Sequence, residues 1–156
     1  MSRAFVTESD LAAASETMPE RPLSPHPNFV TPEGLKQIET QIHALEDDRQ
    51  AAKADDDGSR LALITRDLRY WNQRRASARV IEPAAEPDVV RFGVLVTLAL
   101  HDSTERSFRL VGEDEADPAQ ELLSWVSPVA ASLIGKTVGD SVEFQGHKAK
   151  IVRLAS

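Results

Sequence analysis

Two stretches of the chain place apolar residues three and four positions apart. Leu35, Ile38, Ile42 and Leu45 make the first stripe, and Arg49 and Ala52 extend the same positions. Leu61, Ile64, Leu68, Trp71, Arg75 and Ala78 make the second. Such spacing, held for about three heptads, is the seam of one helix packed on another. Thr31-Pro32-Glu33-Gly34 reads as a helix start, with threonine as N-cap, proline at the first helical position and an acid in the first turn. Asp55-Asp56-Asp57-Gly58-Ser59 then breaks the pattern. A polar loop this short returns the second helix alongside the first, so the pattern predicts an antiparallel αα-hairpin with helices over about 32–54 and 59–79. In that register Ala52 lies near Leu61, Leu45 near Leu68, Ile42 near Trp71 and Leu35 near Ala78. Each arm is roughly 30 Å long at about 1.5 Å per residue.

Beyond residue 80 the period changes. Ile81-Glu82-Pro83 ends the helical pattern, and 84–88 reads as linker. Val89 to Leu100 is a long strand run, in which Gly93 marks a bulge or a close backbone approach. His101 to Glu105 supplies a turn, Ser107 to Val111 a second strand, and Gly112 to Pro118 another turn. Leu122-Leu123 is a short apolar run. Ser127-Pro128 caps a short helix carrying Val129, Leu133 and Ile134, and two strands over about 142–144 and 148–154 finish the chain. The fold class is therefore α+β. Upstream, prolines at 19, 22, 25 and 27 block continuous helix and ladder, leaving an extended path for which Leu23 and Phe29 are the expected anchors. Residues 9–15 could form a turn of helix, and 1–18 are expected to be mobile. The division is a proline-rich leader at 1–29, extended or disordered, a hairpin at 30–80, a linker at 81–87 and a β-rich domain at 88–156.

Composition removes several classes of function. Acidic residues outnumber basic ones by 25 to 18, for a net charge of -7, which argues against autonomous binding to duplex DNA. There is no cysteine, so disulfides, thiol catalysis and thiolate metal sites are excluded. Histidines at 26, 43, 101 and 147 have no metal-site spacing. No apolar run is long enough to span a membrane, and no hydrophobic signal segment is present, so a cytoplasmic protein is expected. The outgoing helix half, 31–57, carries three basic and eight acidic side chains; the returning half, 58–80, carries six and one. That asymmetry helps the hairpin close.

The candidate chemistry is sparse. Asp55, Asp56 and Asp57 sit at the hairpin apex, where three adjacent carboxylates want water, a cation or a basic partner. Their oxygens suit Mg²⁺, which typically takes only one or two protein carboxylates. Asp-Asp-Asp-Gly is also simply a good turn between helices. Glu46-Asp47-Asp48 reads as a solvated face. Glu113, Asp114, Glu115 and Asp117 lack a calcium-loop pattern and form an acidic turn that a basic partner could read. Ser127 reads as a cap rather than a nucleophile. Nothing assembles a nucleophile, base and oxyanion site, so the chain is not expected to be an enzyme.

The order of a helical hairpin, Val80-Ile81-Glu82-Pro83, Val90-Arg91-Phe92-Gly93, Val111-Gly112-Glu113-Asp114-Glu115-Ala116-Asp117 and the run from Ser127-Pro128 to Gly139-Asp140 resembles the GreA/GreB family of bacterial transcript-cleavage factors. The resemblance covers 29–155, and the proline-rich leader resembles that of a GreB-like subgroup. It implies an FKBP-like carboxy-terminal domain without prolyl isomerase activity. It implies bacterial RNA polymerase as partner, the domain docking at the rim of the secondary channel and the hairpin entering it. There Asp55, Asp56 and Asp57 would help hold the polymerase's catalytic Mg²⁺, and the polymerase would cut backtracked RNA, with only indirect contact between this chain and the nascent RNA. The implied docking residues are Val126, Ser127, Pro128, Asp114 and Asp117, on a monomer with no cofactor of its own. Two departures stand out. The family's Asp-x-x-Glu apex is replaced by Asp55-Asp56-Asp57-Gly58-Ser59-Arg60, and Val126 stands where Asp or Asn is usual. The hairpin is also shorter by about one heptad per arm, roughly 10 Å of reach. The alternative functions are a Gre-like inhibitor or modulator without cleavage activity, or a regulatory binding protein of Rnk type.

Overall fold

The computed structural model describes Thr7 and residues 18–156. The expected helical turn at 9–15, and most of the segment expected to be mobile, lie outside these residues. The chain divides into two compact units, one holding 36–77 with the described residues up to Pro25, the other holding 26–35 and 78–156.

Helix α1 spans Pro32–Ala54 and helix α2 spans Gly58–Ser77. Within the first unit the apolar stripes are buried as expected: Ile38, Ile42, Leu45 and Ala52 from α1, and Leu61, Ile64 and Leu68 from α2. Arg60 reaches back across the pair to Asp48 at 3.7 Å. This exposed pair contributes a few tenths of a kcal/mol at most. The lower end of the α2 stripe departs from expectation. Trp71 is only half-buried and Arg75 is exposed, its Nη2 donating to Asn72 Oδ1 at 3.1 Å. Arg74 is buried instead, at 3% exposure, with partners of its own. A guanidinium is costly to bury without hydrogen bonds, so Arg74 is buried where it has partners while Arg75 stays in water.

The extended leader is anchored on α2 by charge, not by Leu23, which is 48% exposed. The Arg21 guanidinium lies 3.9 Å from the centre of the Tyr70 ring and 5.6 Å from that of Trp71. It also pairs with Asp67 at 3.5 Å, while Glu20 meets Arg69 at 2.6 Å. A flat cation over aromatic faces supplies both packing and electrostatics, which an isolated leucine on a polar helix face cannot.

The second unit takes in more than the expected 88–156. Strand β1, Phe29–Val30, pairs in parallel with β2, Arg79–Val80. This short ladder draws residues 26–35 and 78–80 away from the hairpin and into the β-rich unit. The main sheet has five strands: β3 Leu95–Ala99, β4 Glu105–Val111, β5 Leu122–Ser124, β6 Ser141–Phe144 and β7 His147–Ala155. Their order is β5-β4-β3-β7-β6, antiparallel except for the β4–β5 pair. The strand expected over 89–100 begins only at Leu95. Gly93, at φ +86°, closes a turn in which the Val94 N–H reaches Arg91 O at 3.2 Å, under the Pro83 ring. The ladder irregularity lies instead at Thr97/Leu98, against β7. Helix α3, Pro128–Leu133, lays Ala130 and Leu133 on a core of Val90, Val96, Leu98, Leu110 and Ile151. Ile134, expected on that helix, falls one residue past its end and is 40% exposed.

Candidate functional site

At the apex of the hairpin each of the three aspartates has a different backbone task. The Asp56 N–H donates to Lys53 O at 3.2 Å and the Asp57 N–H to Ala52 O at 3.0 Å, with Asp56 in the left-handed region at φ +55°. This paired pattern is a Schellman closure of α1, and Asp56 fills the position usually held by glycine. Asp57 then starts α2: its Oδ1 accepts from the Arg60 N–H at 3.1 Å and its carbonyl from the Leu61 N–H at 3.0 Å. Gly58, expected within the loop, is the first residue of the helix. The Asp55 carboxylate pairs with Arg60 at 3.7 Å. The Asp56 carboxylate meets no side-chain or backbone partner among the described residues. Among the described residues no group of three or more His, Asp or Glu is placed to hold a metal. Hard oxygen donors such as these fit Mg²⁺, and the arrangement fits lending one carboxylate to an ion held mainly by others.

The second candidate region runs from Gly112 to Pro128. Asp117 Oδ1 accepts from the Ala119 N–H at 3.1 Å, capping a 3₁₀ turn over Pro118–Gln120. Asp114 is half-buried and engaged within the fold. Glu115 turns inward: the Thr31 hydroxyl donates to its Oε2 at 2.5 Å while accepting from the Gly34 N–H at 2.9 Å. The start of α1 is thus capped in two layers, threonine on the helix and glutamate on the threonine. Further along, the Trp125 N–H donates to Val111 O at 2.9 Å, fixing the start of the 126–128 turn to the start of the acidic turn. The Val126 N–H meets Ser124 Oγ at 3.4 Å, and Ser127 Oγ accepts from the Ala130 N–H at 3.3 Å, the capping role expected. Pro128, at the first position of α3, is exposed, and Val126 is half-buried.

Glu115, Trp125, His26 and Phe29 were not singled out as site residues by sequence reasoning. Glu115 was one acid among four, and its distinguishing feature, a threonine 84 positions upstream, is not local. Burial raises the Glu115 pKa above its ordinary 4.5; the Thr31 hydrogen bond opposes this, the Glu33 charge adds to it and Arg109 offsets part. An acid whose pKa is raised on folding binds more protons folded than unfolded. Its contribution to stability is therefore fully present below about 4.5 and is lost as pH rises through the raised folded value. Glu115→Gln keeps the acceptor for Thr31 and removes the charge. Urea unfolding at several pH values should show the parent losing stability across that window and the variant losing less. A variant with the parent's pH slope would exclude Glu115 as its source.

A helical hairpin with an acidic apex, joined to a five-stranded α+β unit with an acidic turn and a Ser-Pro helix cap, defines the class of molecule. The model of the family described as "Transcription elongation factor, GreA/GreB, C-term" matches residues 84–154. Transcription elongation factor GreB of Yersinia pestis is 31% identical over 137 residues, which cover 76% of this chain and 80% of that protein. Transcription elongation factor GreA of Paracoccus denitrificans is 48% identical over a shorter stretch of 67 residues, 42% of this chain and 43% of that one. The solved GreA/GreB factor from Nitrosomonas europaea aligns with 83% of this chain and 99% of its own, at 20% identity and a TM-score of 0.41. The chain belongs to the GreA/GreB family of transcription elongation factors. No helix among the described residues is long and apolar enough to cross a membrane.

Proposed function

We propose that this chain is an elongation factor that binds RNA polymerase through the region 112–128 and presents its hairpin apex to the polymerase's catalytic centre, promoting cleavage of backtracked RNA. The observation that carries the cleavage reading is Asp56, a carboxylate at the very apex that meets no partner among the described residues. Mg²⁺ bound in the polymerase would supply the Lewis acid and the activated water. Asp56 would add negative charge beside it, with Asp55 available if Arg60 yields, while Asp57 holds the turn. The factor has no catalytic centre of its own, acts as a cytoplasmic monomer, and meets nascent RNA only through the polymerase.

One observation favours a second reading. Asp57 is committed to capping α2 and Asp55 is partly neutralised by Arg60, so the apex delivers less free charge than three aspartates imply. A chain that occupies the polymerase without stimulating cleavage is consistent with this.

Docking is tested by affinity. Pro128→Ala removes an exposed ring, and Val126→Lys puts a charge on a half-buried apolar position beside it. Each should weaken polymerase binding by roughly 5–30-fold, the range of a significant interface residue, with circular dichroism unchanged. Parent-like affinity in both would remove this turn from the interface.

A further inference from the structure

The Val126–Pro128 turn is built on Trp125, and little in its own loop fixes that indole. Trp125 Nε1 is buried and has no hydrogen-bond acceptor among the described residues. Its orientation therefore rests on ring packing, and the rings come from far upstream. Phe29 lies 5.0 Å from it, centre to centre, tilted by 48°, and His26 meets it edge-on at 6.0 Å and 75°. Phe29 also packs edge-to-face on Phe92 at 5.9 Å.

The backbone that carries these rings is itself clamped. Phe29 O sits so close over Gly112 that a Cβ there would lie 2.5 Å from it. The Arg79 N–H donates to Asn28 O at 2.8 Å and the Ile81 N–H to Val30 O at 2.9 Å. Thr31 ends the segment on Glu115. The segment is thus held at Asn28, Phe29, Val30 and Thr31, with two aromatic side chains projecting onto one tryptophan.

We infer that His26–Thr31 is a strap that sets the shape of the Val126–Pro128 turn, with Phe29 and His26 acting as positioning residues through Trp125. The inference rests on the proposed docking role of that turn for its consequence, but not for its structural content. Offset and edge-to-face ring pairs such as these add to simple area burial. Deleting the Phe29 ring leaves the indole held only by its edge-on contact with the exposed His26, and Val126, the next residue in the chain, moves with it.

The experiment uses the full chain in a Trp71→Phe background, so that Trp125 is the only fluorophore of its kind. Phe29→Ala, Phe29→Leu and His26→Ala are compared by Trp125 emission, by backbone amide NMR, and by affinity for core RNA polymerase. Phe29→Ala should shift Trp125 emission to the red, move the amides of 124–128 while leaving those of β3 and β7 in place, and weaken binding about tenfold. Phe29→Leu, which keeps apolar volume, should restore most of both. His26→Ala changes an exposed residue and should give a smaller change of the same kind, which keeps the test available if Phe29→Ala does not fold. Loop amides that stay in place would overturn the strap, and loop movement with unchanged affinity would overturn its consequence for docking. If the parent chain does not bind polymerase, the docking reading fails, and the strap then stands or falls on the NMR and emission results alone.

Discussion

Replacing Asp55, Asp56 and Asp57 together by asparagine should leave the chain folded and bound to RNA polymerase while lowering cleavage of backtracked RNA by about 10–100-fold, the usual loss when a group that tunes a metal site is removed. The substitution separates charge from shape because the apex uses each aspartate in a way asparagine can copy. Asparagine is the best residue after glycine at the left-handed position of Asp56. It caps a helix as well as aspartate does, so Asp57→Asn keeps the Arg60 N–H satisfied. Asp55→Asn loses only an exposed pair at 3.7 Å. The paired measurement is polymerase affinity and RNA release from a stalled, backtracked complex. Among single variants Asp56→Asn should account for most of the loss, since of the three apex carboxylates it is the one that meets no partner among the described residues. Tight binding with no cleavage by the parent chain, and reduced transcription, would establish the second reading.

Gly112→Ala should cost about 1–3 kcal/mol of stability, the range for forcing atoms into a packed site. Gly112 does not have a positive φ, so the cost comes from collision alone: the new Cβ would lie 2.5 Å from a backbone carbonyl oxygen that no side-chain rotation can move aside. The strand β1 must lift, and the hydrogen bonds from the Arg79 and Ile81 N–H groups to Asn28 and Val30 should open. Hydrogen exchange at those two amides should accelerate together, well beyond the exchange of β3. Gly135, Gly139 and Gly146 offer the contrast, since a Cβ at each meets nothing but the backbone is left-handed. Alanine there strains the backbone locally and should leave the β1–β2 ladder intact. Protected Arg79 and Ile81 amides in Gly112→Ala would contradict the close approach.

The helices were legible because their causes are local. The 3-4 stripes, the Thr31 cap and the Ser127 cap each depend on residues within a turn or two, and each is found where the pattern puts it except at the lower end of the α2 stripe, where Arg74 is buried and Arg75 is not. The apex was legible as a turn but not in its assignment of roles, since composition cannot tell whether Asp56 or Gly58 takes the left-handed position. The strand run at 89–94 misled because Val89, Val90, Phe92 and Val94 are apolar for burial in a turn, where Val90 bonds across to Lys136 rather than into a ladder. Least legible was everything that depends on β1. A two-residue parallel pairing between positions 50 apart leaves no periodicity, and Glu115, Gly112 and Trp125 take their roles from it.

The β1–β2 ladder also alters what counts as a domain here. Chain neighbours in a sheet lie about 4.8 Å apart, so the polypeptide leaves for the hairpin and returns from it at practically one point. In topological terms the hairpin is an insertion into a domain that begins at His26, lapses after Leu35 and resumes at Ala78. An insertion whose ends are stapled together can gain or lose whole heptads in both arms without disturbing its host. That makes arm length an independent variable for evolution and for engineering. The fragment that keeps every residue of this unit is therefore 26–35 spliced by a short glycine linker to 78–156, rather than the carboxy-terminal segment cut out alone.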